Sequence, residues 1–190
     1  METIYFFRET DPKYGFLSNW YHSPFTITNS ETENTYTFQN MEQYIMYCKA
    51  CRFQDDDMAQ RLLTTSDPRI VKKLGRQVKG YTDDGWNMSL RKALELGDEK
   101  RIEKEWDEWF GKMLIYGLYH KFTQNERMKY EMTKGSCSCA KMFAEASPYD
   151  RLWGIGIGVG QARRGDSWKG VNILGRAILR VRDMLLAQHS

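Results

Sequence analysis

The chain has 190 residues, and 28 Lys and Arg stand against 25 Asp and Glu, a net charge of +3. Charge this small excludes a surface that coats nucleic acid on electrostatics alone, and 41% hydrophobic with 14% aromatic residues excludes a disordered chain. The length suits one buried core and is short for two, so a single domain over residues 1–190 is expected.

The start, METIYFFRETDPKYG, has neither the basic segment nor the long apolar segment of a signal peptide, and nowhere do 18 apolar residues run together. A soluble cytoplasmic protein, with the nucleus as the other compartment and no membrane partner, is the expectation.

From Ile4 to Thr37, aromatic and β-branched residues alternate with turn formers. Ile4–Phe7, Pro24–Ile27 and Tyr36–Phe38 read as strands of a small antiparallel sheet or hairpin. Asn40 followed by Gln43 resembles a capping box that opens a helix running to about Phe53, with Met41, Tyr44, Ile45 and Cys48 as its apolar stripe. Gln54 to Thr64 reads as a second helix. Ser66-Asp67-Pro68 supplies the cap and first-turn proline of a third, which stops near Gly75.

A fourth helix begins near Asp83 or Asp84. The stretch from Asp98 to about Phe122 carries Ile102, Trp106, Trp109, Phe110, Met113, Leu114 and Leu118 near helical spacing and predicts one long central helix. Asn125 to Thr133 adds another helix, and Lys141–Ala146 reads as a strand leading into Ser147-Pro148-Tyr149-Asp150. Leu174, Ile178, Val181 and Leu185 mark a last helix over Val171 to Leu186. Strands do not alternate regularly with helices, so the fold class is α+β, mainly helical.

Four groups of residues have the chemistry for a site. Glu42 and Lys49 are seven residues apart, which places them within about 20° on one helix face and roughly 10 Å apart along its axis. They either flank a bound sugar or are two solvated side chains. In the loop from Ser147 to Gly154, Asp150 lies beside Trp153; a carboxylate next to an indole suits a proton donor or the steering of a developing cation, and equally suits a turn anchored by a core tryptophan.

Arg69, Lys72, Lys73, Arg76 and Lys79 form a basic run without an acid, suited to phosphate contact or to a solvated helix face. Trp86, in a polar setting, is placed either to stack on a base or as a half-buried core residue.

Other patterns lead away from common chemistries. The glycines from Gly154 to Gly160 have no P-loop lysine and no dinucleotide-fold setting; they read as a place where backbone passes close to another element or a ligand. Cys48, Cys51, Cys137 and Cys139 could be written as a zinc site, but the first pair falls within a helix and the second lacks zinc-knuckle spacing, so reduced thiols are the better reading. His22, His120 and His189 are scattered and make no metal triad or Ser-His-Asp set.

Taken in order, Gly15–Tyr21 (GFLSNWY), Met41–Ala50 (MEQYIMYCKA), Asp67-Pro68 with Leu74-Gly75-Arg76, Trp86, Lys121–Asn125 (KFTQN), Glu145–Asp150 (EASPYD), Trp153–Gly156 (WGIG) and Trp168–Gly175 (WKGVNILG) resemble the YbiA-like or NADAR family from about Phe7 to Arg182. The resemblance implies N-glycosidase activity, on ADP-ribose attached to guanine in one branch and on phosphorylated riboflavin intermediates in another, with no metal and no cofactor. It places the acidic residues on Glu42 and Asp150, the helix lysine on Lys49 and the aromatic pocket on Trp86 and Trp153. Gln43 fits the family pattern, whereas Cys48 stands where members often carry Gln.

On this resemblance the expected substrate is an ADP-ribosylated guanine nucleoside or nucleic acid. Lys49 is expected to form a Schiff base at the ribose anomeric carbon, and Glu42 and Asp150 to move protons. Trp86 and Trp153 are expected to wall in the substrate, while Arg76, Asn19 and Asn172 take phosphate or ribose hydroxyls and the Gly154 backbone approaches the ligand. The competing expectations are a riboflavin-intermediate N-glycosidase and a module that binds ADP-ribose without cleaving it.

Overall fold

The computed structural model describes residues 2–30 and 32–188, so His189 lies outside the described residues. The chain forms β1 (Thr3–Phe6), a 3-10 turn (Gly15–Leu17), β2 (Phe25–Thr28) and β3 (Thr35–Phe38). Helices follow as α1 (Met41–Arg52), α2 (Asp56–Leu63), α3 (Pro68–Gly75), α4 (Asp83–Trp86), α5 (Met88–Leu96), α6 (Glu99–Trp106), α7 (Trp109–Thr123) and α8 (Glu126–Thr133). The chain then makes β4 (Met142–Glu145), α9 (Val159–Arg163) and α10 (Ile173–Ala187). It is a mainly helical α+β fold.

Helix starts follow local capping chemistry. Asn40 Oδ1 accepts the Gln43 N–H at 2.9 Å, Asp67 accepts from Arg69 ahead of Pro68, and Thr82 caps α4 through the Gly85 N–H; each satisfies a backbone donor that the first turn leaves free. The capping box at α1 is only half as expected. Gln43 Oε1 takes the N–H of Gln39, not of Asn40, at 2.6 Å. Its amide donates to the carbonyls of Leu62, Leu63 and Thr65 and so ties α1 to the end of α2.

The expected antiparallel pairing is β2 with β3, in register Phe25 to Phe38. A second sheet was not anticipated: β1 pairs in parallel with β4, Thr3 opposite Met142 and Phe6 opposite Glu145. Parallel strands need no hairpin between them, so local sequence holds no sign of this pairing. It brings the end of β4 to the start of the chain.

The single long helix expected from Asp98 to Phe122 is two helices. Glu108 is extended at φ −82°, ψ 172°, and a Cβ on Gly111 would lie 2.4 Å from the Trp106 carbonyl oxygen. The chain turns tightly there and both helices bury their indole or phenyl side chains, Trp106 and Phe110; apolar periodicity alone does not reveal such a break.

The core joins Phe25, Phe38 and Tyr44 to Leu114, Leu118 and Phe122 of α7 and to Leu174, Ile178, Val181 and Leu185 of α10. α1 packs on α2, α3 and α7, and α10 on β4 and α7. Among the described residues all four cysteines are free, no His, Cys, Asp and Glu group gathers as a metal site, and no helix is long and apolar enough to cross a membrane.

Candidate active site

The first turn of α1 positions Glu42. Its backbone N–H donates to the Asn19 carbonyl at 2.9 Å, and a carboxylate suits the positive end of a helix. The residue is 7% exposed. Burial raises its carboxyl above the usual range; Lys72, a hydrogen bond from Trp20 and, more weakly, Arg76 oppose that shift, while Asp150 adds to it. Glu42 and Asp150, far apart in sequence, thus lie in one electrostatic neighbourhood with Lys72 of α3 and Arg76 just past its end.

Asp150 is held by its own loop. Its Oδ1 accepts the N–H groups of Leu152 at 2.9 Å and Trp153 at 2.8 Å, as short acidic side chains do in turns. Trp153 is half-buried and its ring lies 5.9 Å from that of Phe110.

Sequence reasoning missed a third carboxyl. Glu145 ends β4, its N–H donates to Asn172 Oδ1 at 3.1 Å, and its Oε2 is sealed from solvent without a hydrogen-bond partner. Burial, then Asp150 and Glu42, push this carboxyl up to about 8, against a smaller opposing effect of Lys72. The signal in the sequence is the EASPYD stretch, which opens on Glu145 and closes on Asp150. Trp20 likewise had no expected role, and Lys72 was expected only as one of the basic run; Lys72 is half-buried, with its Nζ 5.8 Å from the centre of the Trp20 ring.

Lys49 is placed elsewhere on the same helix. Its Nζ donates to the Gly75 carbonyl at 2.9 Å and sits 3.5 Å from the centre of the Tyr81 ring. Burial lowers its pKa and Asp83 opposes that. Tyr81 in turn donates its hydroxyl to Asp83.

Three expected binding residues have structural duties instead. Trp86 is 6% exposed and packs on Trp109 and Phe110, with ring centres 5.5 and 5.2 Å away; an indole enclosed in this way has no free face for a base. Asn172 is fully buried at φ 57°, and its side chain is used up by the Glu145 N–H and the Phe143 carbonyl. A Cβ on Gly154 would lie 2.6 Å from the Glu145 carbonyl oxygen, so it is glycine because protein backbone passes there.

Asn19 and Arg76 stand differently. Asn19 is 8% exposed with a buried, unpartnered Oδ1, and Arg76 is exposed within the field of Glu42.

One cavity borders this cluster without enclosing it, and a larger one lies away from it. A recess of about 590 Å³ lies against Trp20, His22 and Arg69. A groove of about 1060 Å³, lined by Tyr44, Cys48, Trp109 and Tyr116 among others, lies on the other side of α1 and contains none of the expected site residues.

The fold and these groups define a small α+β domain that presents carboxyls beside cations. The NMR structure of YbiA from E. coli has this fold, with a TM-score of 0.62 over 99% of this chain and 87% of that one at 21% identity. The NADAR domain model matches residues 5–97 and 88–186. The chain belongs to the NADAR family. It is 31% identical to Protein irg-1 of Caenorhabditis elegans, over 89% of this chain and 74% of that protein. It is also 29% identical to N-glycosidase R617 of Acanthamoeba polyphaga mimivirus, over 77% of this chain and 74% of that protein.

Proposed function

We propose that this chain is an N-glycosidase that removes ADP-ribose from guanine bases of nucleotides or nucleic acid. The observation that carries the reading is the meeting of Glu42 and Asp150 with Lys72 and Arg76. Cleavage at a ribose anomeric carbon builds positive charge that carboxylates stabilise, and a pyrophosphate on the same substrate calls for cations. The name of the mimivirus relative supports the class of reaction. Trp153 walls the ribose, and Arg76 with Lys72 takes phosphate.

In the lysine route, the neutral amine of Lys49 attacks the anomeric carbon and the base departs with a proton; the ring oxygen then leaves that carbon and takes the proton lost by the amine as the Schiff base forms, and water adds to the C=N bond to free the amine and ADP-ribose. The lowered pKa of Lys49 supports an available amine. The Gly75 carbonyl and Tyr81 ring, which hold its ammonium, favour a second route in which water attacks directly, with Glu42 or Asp150 as base.

Incubation with ADP-ribosylated guanosine is expected to release free base and, under borohydride, to leave an adduct on Lys49. Turnover without an adduct selects the water route. Release only from a phosphorylated riboflavin intermediate moves the chain to that branch, and release from neither leaves a module that binds ADP-ribose.

A further inference from the structure

We infer that Glu145 is the proton donor to the departing base, a third carboxyl that acts with Glu42 and Asp150; this rests on the N-glycosidase reading. Three carboxyls, from α1, β4 and the following loop, share one neighbourhood, with Lys72 of α3 near Glu42 and Glu145 and Arg76, just past α3, near Glu42. Three negative charges facing two positive ones in a partly dehydrated place are not all retained, because desolvation and like charges both favour a neutral acid. One of the three keeps a proton.

Hydrogen bonding selects which. Asp150 accepts two backbone N–H groups. The Glu145 carboxyl has no such support: its Oε2 is buried and unpartnered. An anion there would forgo any compensating bond, whereas a neutral carboxyl carries its own donor. Its rise to about 8 agrees with the geometry.

The backbone of Glu145 is fixed from several sides. It pairs with Phe6, donates to Asn172, and accepts from Ser147 and Ile155 at 2.9 Å each. Asn19, whose carbonyl receives the Glu42 N–H, adds a second unpartnered buried oxygen, its Oδ1.

The step balances simply. The bond between anomeric carbon and base nitrogen breaks with its electron pair on nitrogen, and the Glu145 proton moves to that nitrogen. Water or the Lys49 amine adds to the carbon and loses a proton to an ionised neighbour, Asp150 or Glu42, from which Glu145 is reprotonated.

The test combines two measurements on wild type, Glu145→Gln and Glu145→Asp, each checked for native circular dichroism. Infrared difference spectra of wild type against Glu145→Gln are expected to show a protonated-carboxyl band at about pH 6 that is gone at about pH 10. Base release from ADP-ribosylated guanosine is expected to drop about 10²–10⁴-fold in kcat for the Gln variant with little change in KM, to recover partly in the Asp variant, and in wild type to decline above about pH 8.

Absence of the band in an active wild type, or an undiminished rate in the Gln variant, overturns the role of Glu145. A wild type that shows the band but releases base from neither ADP-ribosylated guanosine nor a phosphorylated riboflavin intermediate overturns the N-glycosidase reading, and the donor role falls with it while the proton on Glu145 stands.

Discussion

Glu42 and Lys49 lie on one face of α1 yet share no interaction: Glu42 meets Trp20, Lys72, Arg76 and Asp150, while Lys49 is held by the Gly75 carbonyl under the Tyr81 ring. Both are among the most enclosed charged residues of the chain, 7% and 8% exposed. Two turns of helix separate a carboxyl neighbourhood from an amine neighbourhood, and α3 runs beside both, supplying Lys72 to one and the Gly75 carbonyl to the other. A substrate that touches both must extend along α3.

Glu42→Gln is expected to abolish most activity and to raise stability. The folded-state pKa of Glu42 is raised, so whatever stability its neutral form contributes is complete below the unfolded pKa and is lost as pH rises through the folded value. The amide avoids that loss. Thermal melts should therefore show the variant gaining on wild type as pH rises from acid to neutral, while base release drops by about 10²–10⁴-fold. A variant less stable than wild type at neutral pH would contradict the assignment of burial as the dominant cause.

Gln43 is a structural residue, although it neighbours Glu42 in sequence. It is 1% exposed and bonds four backbone groups of two other segments. Gln43→Ala leaves those groups unpaired and should cost about 2–4 kcal/mol by urea unfolding. In the fraction that stays folded, KM should be close to that of wild type.

Asn172 joins α10 to β4 through both ends of its amide and occupies the left-handed region. Asn172→Ala removes two buried hydrogen bonds and places a methyl-bearing residue at φ 57°, with an expected loss of about 2–4 kcal/mol. Asn172→Gly keeps the backbone without strain and isolates the loss of the side chain. In both variants Glu145 loses the partner of its N–H, so kcat should fall more than KM rises.

Lys121 is fully buried in α7, its Nζ donates to the Ser18 carbonyl at 2.8 Å, and burial lowers its pKa to about 7. A depressed lysine pKa means that the unfolded chain binds the proton more readily, so stability is highest above the unfolded value and is lost as pH falls toward 7. Lys121→Met loses one hydrogen bond but escapes this dependence. Its melting temperature relative to wild type should improve steadily as pH is lowered from about 10 to about 7, and a constant difference across that range would show that the lysine is not neutral in the folded chain.

Much of the helical framework was legible from the sequence, because caps and apolar periodicity are local. Asn40, Asp67 and Thr82 cap the helices they precede, and the stripe of Leu174, Ile178, Val181 and Leu185 is fully buried. What failed was non-local or depended on a single backbone turn. The break between α6 and α7 hangs on the chain folding back over Trp106 at Gly111, and the parallel pairing of β1 with β4 joins strands at opposite ends of the chain.

The same division holds for the site. Family pattern and composition were enough to name Glu42, Asp150 and Lys49 as chemically equipped residues, since residue type and order are properties of the chain itself. Which groups share a field is not, because electrostatic coupling and desolvation depend on through-space distance and enclosure. Only the tertiary structure enclosed Trp86 among other rings, used up Asn172 on β4, drew Lys49 to Gly75 and Tyr81, and set Glu145 beside Glu42 and Asp150.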